Sequence, residues 1–403
     1  MATLSKRVLE MAPSATLAMS KRSRSMQEQG IDVINLSVGE PDFDTPSVIK
    51  EAGIAAINDN FTHYPPVPGF LDLRKAVCTK LSRDNGLTYS PDQIVVGNGG
   101  KHAIINVLLA MINPGDEVVI PAPCWVSYPE MVKFTEGVPV LVRAGIEDNF
   151  KITPAKLEAA ITPKTKLVIF NSPSNPTGMV YNREELKAIA DVLAKHPQVY
   201  VLSDEIYELI TFEDKFESLA QFEEIRDRII IINGVSKGYA MTGWRIGYIA
   251  APTEIAAACN KIQGQMTSAA SSIAQKASVA ALLQDPKKSE DLKGMVAIFR
   301  QRRDMMLDLL RQIPGMKVNV PTGAFYIFPN IKDLIGKQFN GKTITCGDDL
   351  ANFLLDEAHV ALVGGDSFGD PESIRISYAT SEDKLRESAR RIKEAVAKLQ
   401  PAR

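Results

Sequence analysis

Cysteine is scarce in this chain of 403 residues, with only Cys78, Cys124, Cys259 and Cys346. They are widely spaced and form no C-x-x-C pair. A disulfide or zinc framework fits this poorly, no metal site is expected, and buried free thiols of a reducing compartment fit best. An excess of one charge sign is also missing, with 46 basic residues against 48 acidic ones. That removes the electrostatic case for nucleic acid or an anionic membrane surface as main partner. Long hydrophobic runs are absent: stretches such as 104–112 fall far short of the roughly 20 residues that cross a bilayer. The apolar stretches near the start are short and broken by charge, unlike a signal peptide, so a cytoplasmic location is the expectation. Internal repeats and low-complexity segments are lacking as well.

What is present is an alternation. Short β-rich runs at 93–96, 117–120, 138–142, 166–170, 199–202, 228–232 and 246–250 are separated by helical patterns at 101–112, 183–194 and 254–263. Continuous apolar strands between helices predict an α/β fold, a mostly parallel seven-stranded sheet covered on both faces. Beyond about residue 295 the pattern changes to a long, highly charged helix at 289–311, separate strands at 316–320, 324–328 and 374–378, and two further helices. We therefore expect a large domain at 46–295 and a smaller α+β domain at 296–403, with residues 1–45 packing against the latter.

Five motifs carry chemistry. In Ser236-Lys237-Gly238-Tyr239-Ala240-Met241-Thr242-Gly243-Trp244-Arg245 a lysine follows a strand, where α/β folds place ligands. An isolated lysine in a loop is ordinarily a surface charge. Here Ser236 and Arg245 flank it, a hydroxyl donor and a guanidinium fork suited to phosphate. An amine beside a phosphate site is what an aldehyde on a phosphorylated ring requires. In Ser203-Asp204-Glu205-Ile206-Tyr207 a carboxylate at a strand end is placed to pair with a cationic ring nitrogen, and Tyr207 to donate to a phenolate oxygen; the plain alternative is a helix N-cap.

Asn171-Ser172-Pro173-Ser174-Asn175-Pro176-Thr177-Gly178 is first of all a turn, with Asn175 aimed at the same phenolate and a cis Asn175–Pro176 bond expected. Gly97-Asn98-Gly99-Gly100-Lys101 opens a helix whose free N–H groups attract phosphate, although a glycine cluster is also an ordinary loop. It contains no G-x-G-x-x-G, which argues against a dinucleotide enzyme. Arg375, between apolar strand neighbours, needs a partner if buried: a substrate carboxylate or a structural salt bridge. Trp125 either stacks on a cofactor ring or packs in the core.

Together these motifs resemble class I aminotransferases of pyridoxal-5'-phosphate (PLP) fold-type I, in the family's order and over nearly the whole chain. Pro13-Ser14-Ala15-Thr16, Ser37-Val38-Gly39-Glu40-Pro41-Asp42, Trp125-Val126-Ser127-Tyr128 and Gly323-Ala324-Phe325-Tyr326 are similar to the prokaryotic-type aspartate aminotransferase subgroup. The resemblance implies a ping-pong transfer of an amino group from aspartate or glutamate to a 2-oxoacid such as 2-oxoglutarate. Lys237 would be the Schiff-base lysine and proton shuttle, Asp204 the partner of the pyridine nitrogen, and Asn175 and Tyr207 the holders of the phenolate. Trp125 would stack on the ring. Gly99, Gly100, Lys101, Ser236 and Arg245 would surround the phosphate, with Tyr64 reaching in from a second subunit of a homodimer. Arg375 would bind the α-carboxylate beside Gly39 and Asn175, with Trp125 nearby.

Lys101 at its position is associated with the distal carboxylate of dicarboxylic substrates, and with Thr16 it matches relatives that accept prephenate. A broader aromatic or alanine specificity stays open, because Cys124 and His102 depart from the residues common in the family. A regulatory protein built on such a domain is the non-enzyme alternative, disfavoured by the balanced charge.

Overall fold

The computed structural model describes residues 4–212 and 215–401. Seven strands form the central sheet: β1 Ile94–Gly97, β2 Glu117–Ala122, β3 Val138–Arg143, β4 Thr165–Asn171, β5 Tyr200–Asp204, β6 Ile229–Gly234 and β7 Gly247–Ala250. Their order across the sheet is β1-β7-β6-β5-β4-β2-β3. Strands β2 to β6 run parallel, as expected of runs linked by helices. β7 is antiparallel to both its neighbours. The reason lies in the link before it, which holds only a 3-10 turn, Thr242–Trp244, and no crossover helix. This reversal brings the start of β7 to the edge where β1 and β6 end, with Gly247 opposite both Gly97 and Gly234.

β1, β6 and β7 are buried along their whole length, consistent with a sheet covered on both faces. One core cluster runs through Val96, Phe170, Ile231 and Tyr248 and another through Ile104, Ile120, Leu202 and Ile249. Each side chain of this size, fully buried, contributes about 1.5–3 kcal/mol. The helix α1, Gly100–Met111, packs on the sheet and starts where β1 ends; Gly99 makes the junction at φ +85°. The helix at Arg183–Ala194 has the bounds its periodicity predicts, and Asn182 closes a capping box with Glu185.

A third core unites Ile34 and Leu36 with Phe299, Leu350 and Ile392. Around it pack the helix Glu290–Leu310, capped by Ser289, and a small sheet in which Ile374–Ser377 lies between Tyr326–Ile327 and Val363–Gly364. The strand expected at 316–320 does not form. Only an isolated bridge joins Lys317 to Asn330, and Pro321, which has no N–H to donate to a ladder, follows the run directly. Early and late parts of the chain meet where Ile34–Asn35 pairs in parallel with Val360–Ala361. Among the described residues no helix is long and apolar enough to cross a membrane.

Candidate active site

A cavity of about 340 Å³ opens at the C-terminal edge of the parallel strands. It gathers Thr16, Gly39, Gly100, Lys101, Trp125, Asn175, Asp204, Tyr207, Ser236, Lys237, Arg245 and Arg375, which the sequence draws from regions far apart. Two expected residues are not in its wall. Gly99 lies just behind it, and a Cβ there would collide with the Arg245 guanidinium. Tyr64 is 96% exposed.

Lys237 lines the cavity, and its Nζ donates to the Gly39 carbonyl at 2.5 Å. Burial is the main cause that brings its amine down to about 8; Arg375 and Arg245 push the same way, while Glu40 and Asp204 oppose them. The amine is thus poised between charged and reactive forms near neutrality.

Asp204 ends β5. No helix starts there, so the N-cap alternative fails; a turn follows, and Asp204 Oδ1 accepts from the Ile206 N–H at 3.2 Å. Its Oδ2 accepts from the Tyr128 hydroxyl at 2.6 Å. Burial raises the carboxyl to about 6, against the pull of those hydrogen bonds and of Lys237. Within the described residues no cation bonds to this carboxylate, so it is suited to a cationic group entering the cavity. Tyr207 shares a 2.9 Å hydrogen bond with the Tyr326 hydroxyl.

Arg375 is 1% exposed, its guanidinium between the rings of Tyr326 (4.7 Å) and Phe368 (5.0 Å). Nη1 donates to Asn175 Oδ1 at 3.0 Å and Nη2 to the Ser37 carbonyl at 2.6 Å, while the buried Nε finds no partner. The salt-bridge alternative is not what the structure shows: no carboxylate of the described residues pairs with Arg375. A buried cation held only by neutral oxygens is a receptor for an anion.

The cavity is also lined by Ser236, the start of α1 and Arg245, which adopts φ +57° and donates to the Thr242 and Asn98 carbonyls at 2.9 and 3.3 Å. Helix-start N–H groups with a hydroxyl and a guanidinium suit a phosphate. Lys101 holds its ammonium 4.8 Å from the centre of the Trp125 ring, and partial burial with Arg245 nearby lowers its pKa. Trp125 is half-buried on the cavity wall and meets Tyr128 edge-on at 5.3 Å. Asn175–Pro176 is cis as expected, and so are Ala122–Pro123 and Ser172–Pro173, which the sequence reading did not single out. His102 accepts from the Asn98 N–H at 3.0 Å, and burial keeps its pKa low; it is a neutral brace of the glycine loop outside the cavity wall.

Sequence reasoning gave no role to Tyr128, Tyr326, Asn171 or Ser37. Asn171 Nδ2 donates to the Asp204 carbonyl at 2.9 Å and its Oδ1 accepts from the Asn175 N–H at 2.9 Å, locking two motif segments together. All four lie inside segments that carried the resemblance, which was the available signal; what each touches depends on the tertiary fold.

Comparison with known proteins agrees with this geometry. The model of the family "aminotransferase class I and II" matches residues 31–392. A probable aspartate/prephenate aminotransferase of Rhizobium leguminosarum bv. phaseoli is 51% identical over 97% of this chain and 98% of its own length. An aspartate/prephenate aminotransferase of Cereibacter sphaeroides is 49% identical over 97% and 98%. The crystal structure of the aspartate aminotransferase from Rhizobium meliloti superimposes with a TM-score of 0.95 at 42% identity, covering 99% of this chain and 100% of that one. The aspartate aminotransferase from Thermus thermophilus with maleate gives 0.92 at 39% identity, covering 98% and 100%. Sequence, fold and site therefore agree that the chain belongs to the class I and II aminotransferase family.

Proposed function

We propose that this aminotransferase uses pyridoxal 5'-phosphate to move an amino group from aspartate or glutamate to a 2-oxoacid such as 2-oxoglutarate, in two half-reactions. One observation carries the reading: the Lys237 amine stands in a single cavity with the uncompensated Asp204 carboxylate and the uncompensated Arg375 guanidinium. When bound, the cofactor supplies an aldehyde that captures amines and a cationic ring that accepts the electrons of a broken Cα–H bond.

The residues fit that group. Asp204 would hold the ring nitrogen, and a cation there would draw its carboxyl back down from about 6 and keep it ionised. Tyr207 and Asn175 would hold the phenolate oxygen, and Trp125 would cover the ring. Ser236, Arg245 and the backbone of Gly99, Gly100 and Lys101 would bind the phosphate. Arg375, with Gly39 and Asn175 beside it, would orient the substrate α-carboxylate. That orientation brings the α-hydrogen to Lys237 Nζ, which takes the proton and holds it.

Lys101 and Thr16 would face the distal carboxylate, in keeping with the solved relative with maleate, a dicarboxylate. A second reading, that prephenate is also an acceptor, is favoured by Thr16: its hydroxyl is buried without a partner in this same cavity wall. The aspartate/prephenate names of the relatives point the same way. The exposed Tyr64 suits completion of the phosphate site by a second copy in a homodimer.

The test is direct. Cofactor-free protein titrated with pyridoxal phosphate should gain a near-visible band and then turn over aspartate with 2-oxoglutarate. Lys237→Ala should lose the band and at least about 10²–10⁴-fold in turnover. Near-normal turnover in that variant overturns the assignment. Amination of prephenate by the same enzyme decides the second reading.

A further inference from the structure

The turn that carries Asp204 and Tyr207 into the cavity also carries Glu205 and Glu208, which are buried and stand outside the cavity wall. Glu208 forms an ion pair with Lys80, itself 1% exposed. Lys80 Nζ donates to Asn85 Oδ1 at 2.7 Å and Asn85 Nδ2 to Glu208 Oε2 at 3.0 Å, which closes a ring of three side chains. The backbone is shaped for this. The helix Leu71–Lys80 continues into a π-helical turn, Leu81–Asn85, ended by Gly86 at φ +68°. An i→i+5 register places residues 80 and 85 side by side, which an ordinary α-helical turn does not.

Glu205 is a second anchor. Its Oε1 accepts from Ser203 Oγ at 2.9 Å and Ser218 Oγ at 2.6 Å, while Oε2 is buried and unpartnered. Leu209 packs so closely on Gly238 that a Cβ there would come within 2.6 Å of it. The buried ring thus braces the Asp204–Tyr207 turn, and through Leu209, next to Glu208, the lysine loop as well.

A buried ion pair adds little net stability compared with an apolar pair of the same volume, so folding alone does not account for this one. What a hydrogen-bonded charged ring adds is one fixed geometry. We propose that Lys80, Asn85 and Glu208, with Glu205 as a second anchor, are positioning residues that set the angle at which Asp204 and Tyr207 face the bound cofactor. The inference rests on the reading above that those two residues hold pyridoxal phosphate.

The experiment compares wild type, the double variant Lys80→Met/Glu208→Gln and Glu205→Met, which removes the acceptor of both serine hydroxyls. Each cofactor-free protein is titrated with pyridoxal phosphate, and the pH midpoint of the near-visible band, kcat and KM for aspartate and Tm are measured. We expect cofactor affinity and kcat to fall about tenfold or more, as for other supporting shells of a site. The midpoint should shift, and KM and Tm should change little. Unchanged affinity, midpoint and kcat in the double variant overturn the clamp, whatever Tm does, because a purely structural brace would move Tm alone. Should the double variant not fold, Glu205→Met decides by the same readouts, and wild-type values there overturn the proposal. A wild-type chain that develops no band overturns the cofactor reading itself, and the clamp with it.

Discussion

Arg245 and Arg375 line one cavity, yet the chain holds them by different means. Arg245 is exposed, sits in the left-handed region at φ +57°, and is tied by main-chain carbonyls of its own loop (Thr242) and of the glycine segment (Asn98). Arg375 lies within a strand, pressed between two aromatic rings and bonded to segments about 200 and 338 residues earlier in the sequence. The first is a solvated charge aimed by a loop at a backbone cost of roughly 1–2 kcal/mol. The second is a dry charge whose orientation is settled before any ligand arrives, so little entropy is lost on binding. The difference teaches a division of labour: an adaptable grip suits a permanent, doubly charged group, and a rigid fork suits a substrate that must arrive in one orientation every cycle.

Removing the buried fork should have the larger effect. Arg375→Gln should lower kcat/KM for aspartate by about 10²-fold, the worth of two charge-assisted hydrogen bonds, and leave cofactor affinity intact. Arg375→Lys should rescue poorly, since a point charge lacks the fork. Arg245→Gln should weaken cofactor binding about tenfold while KM for aspartate at saturating cofactor stays close to wild type. Titration and steady-state kinetics on both variants check the pair; if both weakened cofactor binding, or both raised KM for aspartate, the division would be wrong.

The smallest effect is on pH. Capture of an aldehyde needs the neutral Lys237 amine, so the rate of cofactor uptake should rise with pH through about 8 and level off above it. Both arginines push that amine's pKa down, Arg375 more than Arg245. Removing either cation should therefore shift the midpoint upward, further for Arg375→Gln. A stopped-flow uptake profile that is flat from neutral to alkaline pH would contradict the assignment of the amine.

Much of the site was legible because each motif pairs a chemical type with a strand end. Lys237, Asp204 and Asn175 sit at or just past β6, β5 and β4, and periodicity alone places those strands. The direction of β7 was not legible in its composition, since an apolar strand reads the same either way. Only the lack of a helix before it hinted at reversal. The expected strand at 316–320 forms no more than the Lys317–Asn330 bridge, next to Pro321, which has no N–H for a ladder. Tyr128 and Tyr326 escaped for another reason. Their hydroxyls meet Asp204 and Tyr207 across 76 and 119 residues, and local sequence carries no trace of such a distance.

The bond from Arg375 to the Ser37 carbonyl ties the two ends of the chain to one task. Residue 37 lies in the first tenth of the sequence and residue 375 in the last tenth, so the fork is aimed only where both ends are folded together. Ser236, Lys237 and Arg245, by contrast, come from one short stretch in the middle.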